Sequence, residues 1–143
     1  MNFNSLEEIL NYKFSNKELL EQSLTHSSQE LEKNNERLEF LGDSIISLVV
    51  SKFLSLSLEF EDEGKLSIYR SKIVSRENLS KVASDLKLKD YLISGRSLKN
   101  NENKTDSILG NAFEALMGAI FLDSNYEQAE KIILFHLNID LIN

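Results

Sequence analysis

No stretch constrains this chain more than Asn35-Glu36-Arg37-Leu38-Glu39-Phe40-Leu41-Gly42-Asp43, which runs on into Ser44 to Val50. Apolar residues at 38, 41, 45, 48 and 49 recur at helical spacing, and no proline interrupts them, which predicts a long helix from about Asn34 to Leu58. At about 100° per residue, Glu36, Glu39 and Asp43 fall within roughly 60° of one another. They flank the apolar stripe, so they should point into the protein or a cleft rather than into bulk water. Three like charges so placed repel, and at least one carboxyl should titrate high unless a positive charge joins them. A hard divalent cation suits that place, because carboxylate oxygens are its preferred ligands. Spacing alone fits a solvated acidic face better still. Gly42 costs a helix interior roughly 1 kcal/mol against alanine, and close approach of a second helix would explain it.

A second stretch shifts that balance. Ile108 to Asp123 is nearly all apolar, and within it Asn111 and Glu114 are polar exceptions at i and i+3, hence on one face. A buried carboxylate needs a partner or a metal. Two helices that each turn oxygen ligands inward would close one site between them.

NERLEFLGDS at 35–44, DEGKLS at 62–67 with Arg70, LTHSS at 24–28 and SILGNAFEALMGAIFLD at 107–123 together resemble the catalytic domain of ribonuclease III. The motifs match in order and spacing, and the resemblance covers essentially the whole chain. It implies an all-α, homodimeric endonuclease domain that cuts double-stranded RNA with Mg²⁺, for which Mn²⁺ could substitute, leaving a 5′-phosphate and a 3′-hydroxyl. It implies Glu39, Asp43, Asn111 and Glu114 as metal ligands, with Asp43, Glu114, Glu36 and Glu63 catalytic. Glu36 and Glu63 would hold a second metal or orient water and RNA. It also implies a dimer contact for Phe40, whose alternative is ordinary core packing, and matches Arg70 to a basic family position. On sequence alone Glu63 also passes for a first-turn acid that complements the helix dipole.

This chain departs from the family pattern at Asn111, where aspartate is usual. An amide oxygen still ligates, but one negative charge is lost and metal affinity should fall. Nothing after Leu137 could supply the double-stranded-RNA-binding domain with which the family usually continues. Either this chain is a fragment, or the protein works without that domain and binds RNA more weakly and with more salt sensitivity. The resemblance suggests processing of ribosomal and messenger RNA precursors. Two other readings compete: a catalytically weakened RNA-binding or ribosome-associated relative, and an acidic helical interaction module with no RNA role.

With 143 residues and 41% apolar content, residues 1–143 should form one domain. Cysteine is absent, which removes disulfides and thiolate metal sites and fits a reducing compartment. No signal peptide is evident at the start, and no run approaches the roughly 18 consecutive apolar residues of a spanning helix. A cytoplasmic protein with no membrane partner is expected. The net charge of −7 argues against nucleic acid until its distribution is considered. Residues 65–104 hold ten of the sixteen basic residues but only Glu77, Asp85, Asp90 and Glu102 among the acids. That asymmetry suits a phosphate-contacting middle beside an acidic centre, since local potential steers a polyanion better than net charge. A dispersed solvated surface fits as well.

The remaining segments also read as helical. A short helix is predicted at Leu6–Leu10, then one over Lys17–Leu24 capped by Ser15 or Asn16, with Glu18 in its first turn. It ends near His26, which either touches RNA or a partner subunit or, the commoner case, bonds nearby backbone. Gln29–Asn34 and Phe60–Gly64 read as loop and turn. A helix carries Leu66, Tyr69, Ile73 and Val74, and another begins at Arg76-Glu77-Asn78 with Leu79, Val82, Ala83 and Leu86 inward. Ser94–Lys104 reads as a surface loop of functional length. Thr105 or Asp106 should cap the second motif's helix. Asn125 should cap the last, Tyr126–Leu137, which should bury Ala129, Ile132, Ile133 and Phe135. No convincing alternating strand is present.

Overall fold

The computed structural model of the protein describes residues 2–29, 32–94, 105–137 and 139. Its described residues form seven α-helices: α1 (Asn4–Leu10), α2 (Lys17–Ser23), α3 (Glu36–Ser57), α4 (Glu63–Ile73), α5 (Arg76–Asp85), α6 (Thr105–Asp123) and α7 (Tyr126–His136). Among them the only β pairing is an isolated bridge between Thr25 and Ile93. The all-α expectation holds. The Ser94–Lys104 loop lies outside the described residues from position 95 onward.

Helix α6 is apolar on nearly every side, and such a helix has to be surrounded. Ala112, Phe113, Ala115, Leu116, Met117, Ala119 and Ile120 are wholly inaccessible to solvent. Around it pack α3, α5, α2 and α7. Helix α3 lends Leu38, Ile45, Ile46, Val49, Val50 and Leu54 to the same core. Leu48, which shares the stripe in sequence, is exposed instead. By length and composition α3 is apolar enough to cross a membrane, but in this fold it carries one wall of the core.

Two glycines set the distance between these helices. A Cβ at Gly42 would collide with the backbone carbonyl of Glu114, and one at Gly118 would collide with that of Leu38. Backbone therefore rests on backbone at both crossings, and the close approach predicted from Gly42 is present.

Caps punctuate the chain much as its sequence suggests. The Asn16 side chain accepts from the Glu18 N–H at 3.0 Å, and that of Asn125 from the Gln128 N–H at 2.9 Å. Asp62 caps α4 through the Lys65 N–H, and Ser75 caps α5 through the Asn78 N–H. Thr105 and Asp106 lie within α6 rather than before it. Near the N-terminus, the Glu7 carboxylate is buried and accepts from the Phe14 N–H at 2.7 Å and from Lys17 Nζ. Asp123, at the end of α6, accepts from Tyr12 Oη at 2.6 Å and from the N–H groups of Ser15 and Asn16, both at 2.8 Å. These bonds hold the α1–α2 hairpin against α6.

One expected core residue is not in the core. Ala129, Ile132 and Ile133 are buried, but Phe135 is 70% exposed. Two positions after Ile133 on a helix is a turn of about 200°, which carries Phe135 to the outer face.

Candidate active site

A cleft of about 730 Å³ opens where the start of α3, the middle of α6 and the start of α5 meet. Glu36, Glu39 and Asp43 reach it from α3, and Asn111 and Glu114 from α6. Their convergence follows from the glycine crossing: Gly42 lies between Glu39 and Asp43 in sequence and touches the backbone of Glu114 itself. His26, Ser27, Asn35, Phe40, Val74, Arg76, Leu79 and Gly110 complete the lining.

The electrostatics are those of crowded like charges. Burial pushes the Glu114 carboxyl up to about 8, helped by its hydrogen bond to Asp43 and the charges of Asp43 and Glu39, with Arg76 acting in the opposite sense. Glu39 is also raised, first by burial, then by Glu36 and Asp43. Glu114 therefore keeps its proton near neutrality and shares it with Asp43, where a cation could take the proton's place.

Among the described residues, no three His, Cys, Asp or Glu side chains are already gathered closely enough to enclose a metal ion. The donor set is nevertheless all oxygen, from carboxylates and one amide, and it has an excess of negative charge relieved by a proton. That chemistry fits a hard divalent cation.

His26 follows the backbone-bonded one of its two sequence readings. It is half-buried and its Nδ1 accepts from the Ser28 N–H at 3.0 Å, yet it also lines the cleft. Burial lowers its pKa, against the raising effect of Glu36.

Glu63 does not join the other carboxylates within one chain: it is exposed in the first turn of α4 and does not line the cleft. Arg70 is also outside it, donating to Ser51 Oγ at 2.9 Å and so tying α4 to α3. Phe40 is 79% exposed, which overturns the core-packing alternative for it. The side chain projects from the rim because the inward arc of α3 is taken by Leu38, Gly42 and Ile45. Arg76 is the lining residue that sequence reasoning left unassigned. It appeared there only as one of ten basic residues in the middle segment, and the local signal available was its place directly after the Ser75 cap.

Comparison with known proteins bears on the family and the fold. Residues 16–140 match the family model described as Ribonuclease-III-like. The chain belongs to the ribonuclease-III-like family. It is 43% identical over 144 residues to Ribonuclease 3 of Campylobacter fetus, covering 96% of this chain and 65% of that one. It is 46% identical over 135 residues to Ribonuclease 3 of Helicobacter pylori strain Shi470, covering 94% of this chain and 57% of the relative. The chain thus spans about three-fifths of the length of these curated relatives. A crystal structure of the nuclease domain of ribonuclease III from Campylobacter jejuni superposes with a TM-score of 0.90 at 40% identity, over 98% of this chain and 95% of that one. A second structure of that domain, described in terms of flexibility in a region involved in its dimer formation, has a TM-score of 0.90 at 41% identity over 94% of each chain.

Proposed function

We propose that this ribonuclease-III-like chain is an endoribonuclease that hydrolyses phosphodiester bonds in double-stranded RNA, dependent on Mg²⁺, leaving 5′-phosphate and 3′-hydroxyl ends. The observation that carries this reading is the meeting of Glu39 and Asp43 with Asn111 and Glu114 across the α3–α6 crossing. These four would hold the metal, with Mn²⁺ an acceptable substitute. When bound, the cation supplies positive charge against the phosphate and the leaving oxygen.

The chain's own groups do the remaining work. Exposed Asp43 and half-buried Glu114 present paired carboxyl oxygens to the cleft, one of them able to accept a proton near neutral pH. Glu36, exposed at the rim, is placed to orient water or RNA. Glu63 would have to act from outside the single-chain cleft, and in that chain it serves the α4 dipole. A-form RNA displays phosphates and 2′-hydroxyls in its shallow groove, so recognition would be chiefly by shape.

A homodimer is part of the proposal. Exposed Phe40 adjoins a hollow of about 560 Å³ to which Leu19, Leu38, Leu41 and Leu122 contribute. A two-fold pairing would let each copy fill the other's hollow and give one site per strand of a duplex. Processing of ribosomal and messenger RNA precursors in the cytoplasm completes the reading.

Asn111 favours a second reading, a weakened relative that binds RNA or ribosomes without cutting. A long duplex RNA incubated with and without Mg²⁺ separates the two. Metal-dependent cutting that Glu114→Ala abolishes and Asn111→Asp preserves or increases supports the enzyme. Cutting by Asn111→Asp but not by the native sequence marks a naturally disabled site. Retardation without cutting by either supports the binding protein.

A further inference from the structure

We propose that Arg76 is a substrate-binding residue of the acidic cleft, its guanidinium gripping a phosphodiester of the RNA strand that the carboxylates face. The inference rests on the reading of the cleft as a ribonuclease site and assigns a role to a group that the metal chemistry leaves unused.

Among the described residues lining the cleft, Arg76 is the one lysine or arginine, set against Glu36, Glu39, Asp43 and Glu114. It lies near enough to Glu114 to act on its charge. Yet it makes no salt bridge and no side-chain hydrogen bond with any described residue. An exposed arginine among acids that closes on none of them keeps its donor fork free, and that planar fork matches two phosphate oxygens at once.

Its placement is also held from below. The Ser75 cap and the bond from Asn78 Nδ2 to the Ile73 carbonyl, 2.6 Å, fix the first turn of α5. Ser80 Oγ donates to the Asp106 carbonyl, and Gly110 leaves room for Ser80 and the Arg76 carbonyl. The first turn of α5 thus lies against α6 at Gly110, where both Ser80 and the Arg76 carbonyl meet it. One turn beyond Gly110 on α6 comes Glu114.

The electrostatic need is plain. A phosphodiester entering the cleft meets the carboxylates of Glu36, Glu39 and Asp43 beside the protonated Glu114. Asn111 removes one charge from that wall and Arg76 offsets another, so part of the attraction for RNA should persist without any divalent ion.

The test is binding of the full chain to a long duplex RNA in EDTA across a range of salt concentrations. Arg76→Gln and Arg76→Ala should each weaken binding about ten-fold and flatten the slope of log Kd against log salt by about one, as expected for a single phosphate no longer neutralised. Arg76→Lys should keep the slope and lose part of the affinity. Lys131→Gln, which removes the same charge from the exposed side of α7, should bind as the native protein does. Thermal unfolding of each variant shows which are folded, and either folded truncation decides the matter.

Unchanged affinity and slope in a folded truncation overturn the proposal, as does an equal loss in Lys131→Gln, which would mean long-range charge alone. Those failures differ from failure of the ribonuclease reading, in which the native chain itself neither binds nor cuts the duplex.

Discussion

Glu114 holds its proton up to about 8, against an ordinary value of 4.5, because it is half-buried and hydrogen-bonded to Asp43. The sign of its linkage to folding follows. Between those two values the folded protein keeps a proton that the unfolded chain has released, so this stabilisation is complete at acid pH and drains away as pH rises toward 8. In EDTA the unfolding midpoint should therefore drop between about pH 5 and about pH 8. Glu114→Gln, which keeps a donor toward Asp43 at every pH, should flatten that drop, and an equally steep drop in the variant would contradict the assignment. Added Mg²⁺ should reverse the trend, raising the midpoint most where the carboxylate is ionised. At Asn111 the expected change is in metal dependence: Asn111→Asp should lower the Mg²⁺ concentration for half-maximal cutting several-fold, read from a titration. The acidic residues were legible because Glu36, Glu39 and Asp43 share a helix face, while Asn111 and Glu114 interrupt an apolar run. Arg76 was not, since its place directly after the Ser75 cap fixes a helix start but does not say that the side chain faces the cleft. His26 was half legible: the backbone bond could be expected, its position on the cleft could not.

At the scale of the elements, the α3–α6 crossing carries most of the consequence. Gly42→Ala would drive a methyl group into the Glu114 backbone, so the helices must part. Overpacking of this kind costs about 1–3 kcal/mol, occasionally more, and denaturant unfolding should show at least that loss, together with loss of metal-dependent cutting. Gly64→Ala is the contrast. Its new methyl group would meet only Asp62 Oδ1, at 3.4 Å, in an exposed first turn, so stability should hold or rise by up to about 1 kcal/mol. Gly42 could be read in advance because a glycine inside so periodic a helix needs a reason. Phe135 was misread because its composition was weighed ahead of its angle from Ile133. The Thr25–Ile93 bridge had no visible sign at all, since it joins segments far apart in sequence through backbone groups that every residue type possesses.

For the whole molecule, Phe40 poses the question of assembly. A phenylalanine that is 79% exposed beside an apolar hollow gains from a second copy that covers it. Phe40→Ser should weaken self-association by ten-fold or more in sedimentation equilibrium while leaving the unfolding midpoint of the monomer nearly unchanged. A native chain that sediments as a monomer at high concentration would remove the dimer from the proposal. The architecture was largely readable because helical periodicity runs along the whole chain, whereas pairing between copies depends on outward-facing side chains that no period identifies. The bare peptide contact at Gly42 and Gly118 has a last effect on how such a protein can vary. Because no side-chain volume intervenes there, the spacing between the two acidic walls behaves like a ruler cut from the main chain. Leucine-to-isoleucine drift elsewhere in the interior can reshape the core while the oxygens across the cleft stay in register.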